Sequence, residues 1–555
     1  MKHHPFVLPG VRLAPLLAFL CTGCLDGAPE AFAVAPDNLR AAALAADDTG
    51  STGSAAPIPD AGLTPPASQQ RYGCEPGGAL AGKTYLFVNA AAPAGGTGTR
   101  AAPYRSLQSA YLTIQNGQNA VLCVAEGTHT EHVGSTADRF TSGTEITLVG
   151  GFLAGSSFTQ RDSTAHPTLL RAPDRTVATL VFGNLRAITV DGFRITGGLH
   201  GIAILSGYSA GRTVVIRNNH VFDNGIEGQR DHRGGGLRLS GSTVLVEHNL
   251  VEDNKTGAGG AGIYIGSAAS SESNTRSGGT LTVSSALATV AHNIVRNNVA
   301  RYDTPHGAGI SVSMNARIHH NLIEGNRGHG PLSGPGGQGV GGGIIAQFPL
   351  ITVTVDANWI SGNIATKAGG GIFIDEASIG TVINNVVVGN QGVGAICIDG
   401  RGSGNAVDDR GYATLANNTV VGNTDGAIYL LDSTVRAYNN VFWSNGARDI
   451  ISSTSGAIPE DITLDHNVLA SGCTGPATCT LGSHNLVGSD PLLLDPAAGD
   501  YQLGAGSPAL SAGTRPITPA FSCAGALTAA PPADFTDFAR PTGTAVDLGA
   551  FARKP

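Results

Sequence analysis

Between about residues 180 and 490 the chain alternates two short apolar patterns. The first is Asn-x-(Val/Ile/Leu/Phe)-x-x-Asn. It occurs as Asn219/Val221/Asn224, Asn249/Val251/Asn254, Asn293/Val295/Asn298, Asn321/Ile323/Asn326, Asn358/Ile360/Asn363, Asn385/Val387/Asn390, Asn418/Val420/Asn423 and Asn440/Phe442/Asn445, with degenerate copies at Asn467/Leu469 and Asn485/Val487. The second is a small residue leading into an apolar-x-apolar triplet, as in Gly236-Leu-Arg-Leu239, Gly262-Ile-Tyr-Ile265, Gly309-Ile-Ser-Val312, Gly343-Ile-Ile-Ala346, Gly371-Ile-Phe-Ile374, Ala395-Ile-Cys-Ile398 and Ala427-Ile-Tyr-Leu430. Period-2 alternation predicts short strands. Asn and Gly, which tolerate left-handed backbone angles, are read as breaking them. One such turn of chain cannot bury its own apolar face, but stacked turns can, by placing like residues above like. The prediction is an all-β, single-stranded parallel β-helix, a solenoid with small aliphatics inside and asparagines paired down a ladder. A dozen or so coils at roughly 4.8 Å would make a rod of about 60 Å. A β-propeller would need longer repeats with a blade signature, which is absent.

Both ends of the repeat carry further signals. Leu107, Ala110, Tyr111 and Ile114 fall at i, i+3, i+4 and i+7, which predicts an amphipathic helix ending near Gly117 that plugs the open end of the core. The repeats, with Tyr85-Leu-Phe-Val-Asn89, Gly96 to Tyr104 and Ala125 to Glu131 before them, resemble the right-handed parallel β-helix proteins of the pectate-lyase-like superfold, over residues 75 to 551. The series Ser489-Asp-Pro-Leu492, Gly499-Asp-Tyr-Gln-Leu503, Gly506-Ser-Pro-Ala-Leu510, Arg540-Pro541-x-Gly543 and Val546-Asp-Leu-Gly-Ala-Phe551 is similar to the choice-of-anchor Q domain of bacterial surface proteins. It departs at Ser511 and Ala552, where acids are common. That resemblance implies display on a surface and no specific chemistry.

Residues 1 to 23 read as an export signal: Lys2 and Arg12 are followed by the apolar run Leu13 to Leu20, too short to span a bilayer. The run leads into Cys21-Thr22-Gly23-Cys24, which resembles a bacterial lipobox with Cys21 where Leu is usual. The resemblance implies lipidation of Cys24 and, with Leu25 next, an outer-membrane or cell-surface location; without lipidation the protein would be secreted. The expected organisation is a signal over 1–23, an Ala/Pro/Ser/Asp-rich tether over 24–70, an N-terminal cap and first coils over 71–178, repeats over 179–490 and a C-terminal cap over 491–555. The chain would be monomeric and held to the membrane by its N-terminal lipid.

Composition narrows the picture further. With 79 Gly, 13% charged residues and a net charge of -8, the chain lacks the basic footprint of a nucleic-acid binder. Of the eight cysteines, Cys21 and Cys24 belong to the signal region, and export permits disulfides among the rest. Cys473–Cys479 and Cys74–Cys123 are the expected pairs, and Cys397 and Cys523 are read as free thiols.

Candidate chemistry is sparse. Gly328-His-Gly330, Asp408-Asp409 and Asn423-Thr-Asp425 imitate polygalacturonase-type motifs, but in reversed order and without Arg-Ile-Lys, and are read as chance. A lyase would need acids to hold Ca2+ beside a basic proton acceptor. The loop acids Asp231, Asp303, Asp375, Glu376, Asp408 and Asp409, with Arg233, His306 and Arg410, are spread over several coils; Asp408, Asp409, Arg410 and His306 are the catalytic candidates. A polar column precedes each repeat asparagine: Asn218, His248, His292, His320, Ala357, Asn384, Asn417, Asn439, His466 and His484. It is read as a ladder in which His replaces Asn; no metal is expected, because imidazoles stacked in a line do not converge. Between the apolar pairs lie Arg238, Tyr264, Ser311, Ile345, Phe373, Cys397 and Tyr429, pointing outward along one face. Arg238, Tyr264, Phe373 and Tyr429 are the candidate ligand contacts; the alternative, favoured by the long insertions that follow several of these strands, is packing covered by loops. The insertions 267–280, 328–341 and 399–411 are expected to rim that face. The sequence thus favours a structural or adhesive surface protein, needing no cofactor, that binds polysaccharide or a cell-envelope component. A polysaccharide lyase or glycoside hydrolase using loop carboxylates is the alternative.

Overall fold

In the computed structural model each period-2 segment is a strand, and like strands of successive coils pair in parallel, in register. The structure describes residue 74 and residues 82–553, apart from 136–138, 141–142, 206–210, 230–231, 267–274, 278–279, 283, 303–305, 330–338, 402–409, 454–457, 474–477 and 524–525. Three long sheets result: a first of fourteen strands from Thr84–Val88 to Thr478–Leu481, a second of eleven from Val133–Ser135 to Ile450–Ser452, and a third of thirteen from Gly127–Thr130 to Leu486–Val487. The chain visits the third, second and first sheets in that order in each coil, and a short fourth sheet of five strands fills the step between third and second in the middle coils. The molecule is a right-handed parallel β-helix. At about 4.8 Å per strand, fourteen strands give a rod of roughly 60 Å. Among the described residues no helix is long and apolar enough to cross a membrane.

Register fixes the core. On the second sheet Ile202, Leu237, Ile263, Ile310, Ile344, Ile372, Ile396, Ile428 and Ile450 stand one above the next, all buried. Each coil buries its apolar pair only against the coils on either side, so stability is shared between neighbours along the rod.

The asparagines form two ladders. One runs Asn219, Asn249, Asn293, Asn321, Asn358, Asn385, Asn418, Asn440, Asn467, Asn485; the other runs Asn224, Asn254, Asn298, Asn326, Asn363, Asn390, Asn423, Asn445. At each step the side-chain oxygen of the later residue accepts both the backbone N–H and the side-chain N–H of the earlier. Left-handed backbone falls at the breaks on Asn and Gly, as the sequence reading has it, but also on His and Ala. The left-handed residue is the one before each asparagine of the first ladder except the last: Asn218, His248, His292, His320, Ala357, Asn384, Asn417, Asn439 and His466 have φ between 50° and 59°. The polar column is therefore a line of corner residues, and the ladder is its neighbour. The left-handed corner swings the next side chain into the turn, where it can reach the coil beyond.

The ends also depart from simple caps. The helix spans Leu107–Thr113, ending at Ile114 rather than Gly117; Glu131 accepts from Ser106 and from the N–H groups of Leu107 and Gln108 at its start. Tyr111 packs edge-on against Phe140 and Phe182, sealing the first coil. Residues 491–553 do not stop at the last coil. They form an arm that runs back along the outside of the third sheet, burying Tyr501, Phe535 and Phe551 with Trp359, Leu322, Val386 and Val388. The corner column is the docking strip. Asn384 donates to Ala533 O, Asn417 to Asp547 O and Asn439 to Thr514 O, while Arg540 bonds Asn384 Oδ1 and the carbonyls of Gly549 and Ala550.

Candidate functional site

The outward column of the second sheet divides into two regions. Arg238 and Tyr264 are neighbours in register and half-buried. Beyond them Ser311, Ile345, Phe373 and Cys397 are buried, because Val340, Ala368, Val393 and Leu431 pack over Ile345, Phe373 and Cys397 in a small apolar cluster outside the main core. Phe373 is only 3% exposed. Of the two readings of Phe373, ligand contact and covered packing, the second holds: its ring is enclosed in that cluster. Tyr429, at the far edge of that cluster, stays half-buried.

Charged groups gather at the ends of these strands. The Arg233 guanidinium lies 5.4 Å from the Tyr264 ring centroid and donates to its hydroxyl at 3.2 Å. Burial holds the His306 imidazole below the usual histidine range, and the charges of Arg233 and Lys367 push it the same way. Two coils on, Asp375 and Asp399 occupy the position just after the apolar triplet. Burial pushes the Asp375 carboxyl well above the usual carboxylate range, and the charges of Asp399 and Glu376 add to this. Asp399 instead forms a two-pronged ion pair with Arg401, through Nε at 2.9 Å and Nη2 at 2.8 Å. Burial also raises Glu376, with Arg233 opposing.

Asp375 therefore acts as a buried acid. A carboxyl whose folded-state pKa is raised contributes stability that is full below about pH 4 and lost as the pH climbs through its folded-state value. Asp375→Asn, which keeps the oxygen that accepts from the Glu376 N–H at 2.9 Å, should match the wild type in acid and become the more stable protein as the pH rises. Thermal melts from pH 4 to pH 8 check this; curves that stay parallel would reject it.

The remaining candidates are dispersed. Asp408, Asp409, Asp231 and Asp303 lie outside the described residues. Arg410 is tied to Thr434 of the first sheet at 2.8 Å. Asp399 and Arg401 were missed by sequence reasoning. A signal existed, since Gln347, Asp375 and Asp399 all follow an apolar triplet at the same step.

The corner column contains a second constellation. His248, His292 and His320 stack, with ring centroids 5.0 and 5.2 Å apart and interplanar angles of 6° and 20°. A line of rings alone would not converge, as expected. His319, however, stands across it at 81° to His292 and 87° to His320. The expectation of no metal geometry is corrected: one nitrogen from each of His292, His319 and His320 lies within 4.8 Å of the others. Asp465, His466 and His484 form a similar group, but there the carboxylate already pairs with both imidazoles, at 3.2 Å each.

Disulfides join Cys74 to Cys123 and Cys473 to Cys479. Cys397 and Cys523 are free thiols. Burial, reinforced by Asp399 and Asp375, pushes the Cys397 thiol well up, so it is chemically quiet.

Comparison with known proteins bears on the fold. A family model described as "Right handed beta helix region" matches residues 179–340. Among solved structures, the chain is similar to pectate lyase Pel9A, with 16% identity, a TM-score of 0.39, and coverage of 85% of this chain and 97% of that one. It is also similar to an alginate lyase from Paenibacillus sp. str. FPU-7 (16% identity, TM-score 0.27, 69% and 99% covered). A third is the GH136 lacto-N-biosidase from Eubacterium ramulus (14% identity, TM-score 0.33, 69% and 68% covered). No curated protein matches. The class that the sheets define is the right-handed parallel β-helix fold, and the chemistry has to be argued from the chain's own residues.

Proposed function

We propose that this chain is an exported β-helix that binds an acidic polysaccharide on the outer face of its second sheet, around Arg233, Arg238 and Tyr264. The observation that carries this reading is the stacked pair. Arg233 lies over the Tyr264 ring and bonds its hydroxyl, while Arg238 stands beside Tyr264 in register. An aromatic ring flanked by two guanidinium groups suits a sugar ring bearing a carboxylate, and it is ordered before the ligand arrives. The lipobox-like Cys24 and the resemblance to choice-of-anchor Q support display on a cell surface, with a cell-envelope polysaccharide as partner.

A second reading, polysaccharide cleavage, is favoured by one observation. Asp375 and Asp399 sit on adjacent coils in opposed environments, one a buried acid and one paired with a cation, which is the division of roles that acid–base hydrolysis requires.

The test is a panel of uronic-acid and neutral polysaccharides, assayed for retention in affinity gels and for release of reducing or unsaturated ends. Retention of the acidic members, weakened about tenfold or more in Tyr264→Ala and Arg238→Ala at unchanged melting temperature, is the expected result. Release of ends that disappears in Asp375→Asn would establish the second reading. Retention unaffected by both substitutions would reject the surface. An intact-mass spectrum showing an unmodified Cys24 in the mature protein would reject the lipid anchor.

A further inference from the structure

We infer that His292, His319 and His320 form a binding site for a divalent transition-metal ion, with Asp537 of the C-terminal arm orienting His320. The site is independent of the polysaccharide surface.

The convergence follows from the backbone. His319 ends the strand Ala316–His319 of the first sheet, and His320 is the corner residue, with φ 53°. In an extended chain consecutive side chains point to opposite faces. The left-handed corner breaks that alternation and leaves both imidazoles outside the rod. His292, the corner of the preceding coil with φ 54°, stacks on His320 at 5.2 Å. Three nitrogens from two coils then lie within 4.8 Å of one another, and all three residues are half-buried, which leaves an ion a path in.

The distances suit a metal. His319 Nδ1 and His320 Nδ1 are 2.9 Å apart. Without an ion, two such nitrogens can share one proton only. An ion about 2.05 Å from each would see them at about 90°, the vertex angle of an octahedral ion, and opening the pair to about 3.3 Å would give the tetrahedral angle that Zn2+ prefers. The move between the two is a few tenths of an ångström of side-chain rotation. Three neutral imidazoles select Zn2+, Ni2+ or Cu2+ over Mg2+ and Ca2+, which want oxygen.

A second observation points the same way. With its Nδ1 turned to the site, His320 presents Nε2 to Asp537 Oδ1 at 3.3 Å. A carboxylate on the far nitrogen of a ligating histidine fixes the ring and raises its basicity. Asp537 is held at the tip of a turn in which Asp534 Oδ1 accepts from the N–H groups of Thr536 and Phe538, and that turn is anchored by Phe535 against Trp359. The adverse charge nearby is Arg317, whose guanidinium faces Asp356 at 3.4 Å. The corner column makes sense of the choice of residues. Its asparagines at 384, 417 and 439 dock the arm. His320, where the arm's tip makes its contact through a carboxylate, begins the histidine stretch. An ion there would tie the arm to the rod.

The experiment is calorimetric titration of the chelator-treated full chain with ZnCl2 and NiCl2 near neutral pH, with CaCl2 as control. One ion per chain in the micromolar range is expected, with no response to Ca2+. Saturating Zn2+ should raise the melting temperature by mass action. Asp537→Asn should weaken Zn2+ by about tenfold and His319→Ala by about 100-fold or more, whereas His466→Ala should leave it unchanged. Binding no tighter than millimolar, or equal binding by His319→Ala, overturns the site. Should His319→Ala lose its circular dichroism, the Cu2+ resonance spectrum of the unaltered chain decides. Hyperfine splitting from three imidazole nitrogens supports the site; splitting from fewer overturns it.

Discussion

Asn358→Ala is expected to lower the stability of the rod by about 3–5 kcal/mol. Asn358 is fully buried, and its side chain takes part in five hydrogen bonds. Its Oδ1 accepts from Asn321 N at 3.0 Å and Asn321 Nδ2 at 2.9 Å, and its Nδ2 donates to Ile318 O, Asp356 O and Asn385 Oδ1. Alanine strands the Asn321 backbone N–H in a dry turn. It also strips a donor from two carbonyls and from the next ladder oxygen. A lost hydrogen bond exchanged for water costs little, but a buried group left without a partner costs about 1–3 kcal/mol. Asn358→Asp should be worse still, because a carboxylate cannot make the three donations and would be charged in the interior. Asn485→Ala, at the end of the ladder where the side chain is half-buried, should cost far less. Urea midpoints and proteolysis mapped along the chain measure these effects, since a stacked array need not unfold in one step. A loss below about 1 kcal/mol for Asn358→Ala would mean that the backbone relaxes to replace the ladder.

The second large effect is expected at Gly309. A Cβ there would lie 2.4 Å from the carbonyl oxygen of Gly343 on the next coil and 3.1 Å from Asn326 Nδ2. Neither neighbour can yield without breaking the sheet or the ladder. Gly309→Val should therefore cost more than about 3 kcal/mol, beyond ordinary overpacking. The column Gly236, Gly262, Gly309 and Gly343 meets the same obstacle, at 2.4–2.7 Å, but at Gly371 the distance opens to 3.0 Å, and the next two coils carry Ala395 and Ala427 in its place. Gly371→Ala should accordingly be milder, its closest contact being the Val387 Cγ1 methyl at 2.8 Å rather than a backbone carbonyl. Gly389 supplies the control. Its Cβ would meet nothing within 4 Å, but its φ is +62°, so Gly389→Ala should cost only about 1 kcal/mol of backbone strain. If all three substitutions cost the same, coil spacing would not be what limits the motif.

These glycines mark one boundary of what a repeat discloses. Their recurrence was visible, and a left-handed backbone was the natural reading. The left-handed glycines are others, such as Gly325, Gly362, Gly389 and Gly422 before the second ladder, whereas the glycines that open the triplets are small because another coil's carbonyl touches them. The same holds for the outward column. Alternation showed that Phe373 leaves the core, but not that Val340 and Ala368 close over it.

Period and register come from local pattern, since a coil's apolar pairs and turn asparagines can be satisfied only by a like coil above and below. For that reason the solenoid, its rough length, the aliphatic interior and the asparagine ladder were determined by the sequence alone. The meeting of groups that belong to different coils or to the arm was decided by the tertiary structure. Asp375 beside Asp399, Arg233 over Tyr264, His319 turned across the stacked histidines and Asp537 brought back to His320 depend on corner angles and on where a non-repeating segment docks. No periodicity encodes such positions: the side chains involved lie on the outside of the rod, where stacking of like residues imposes no constraint.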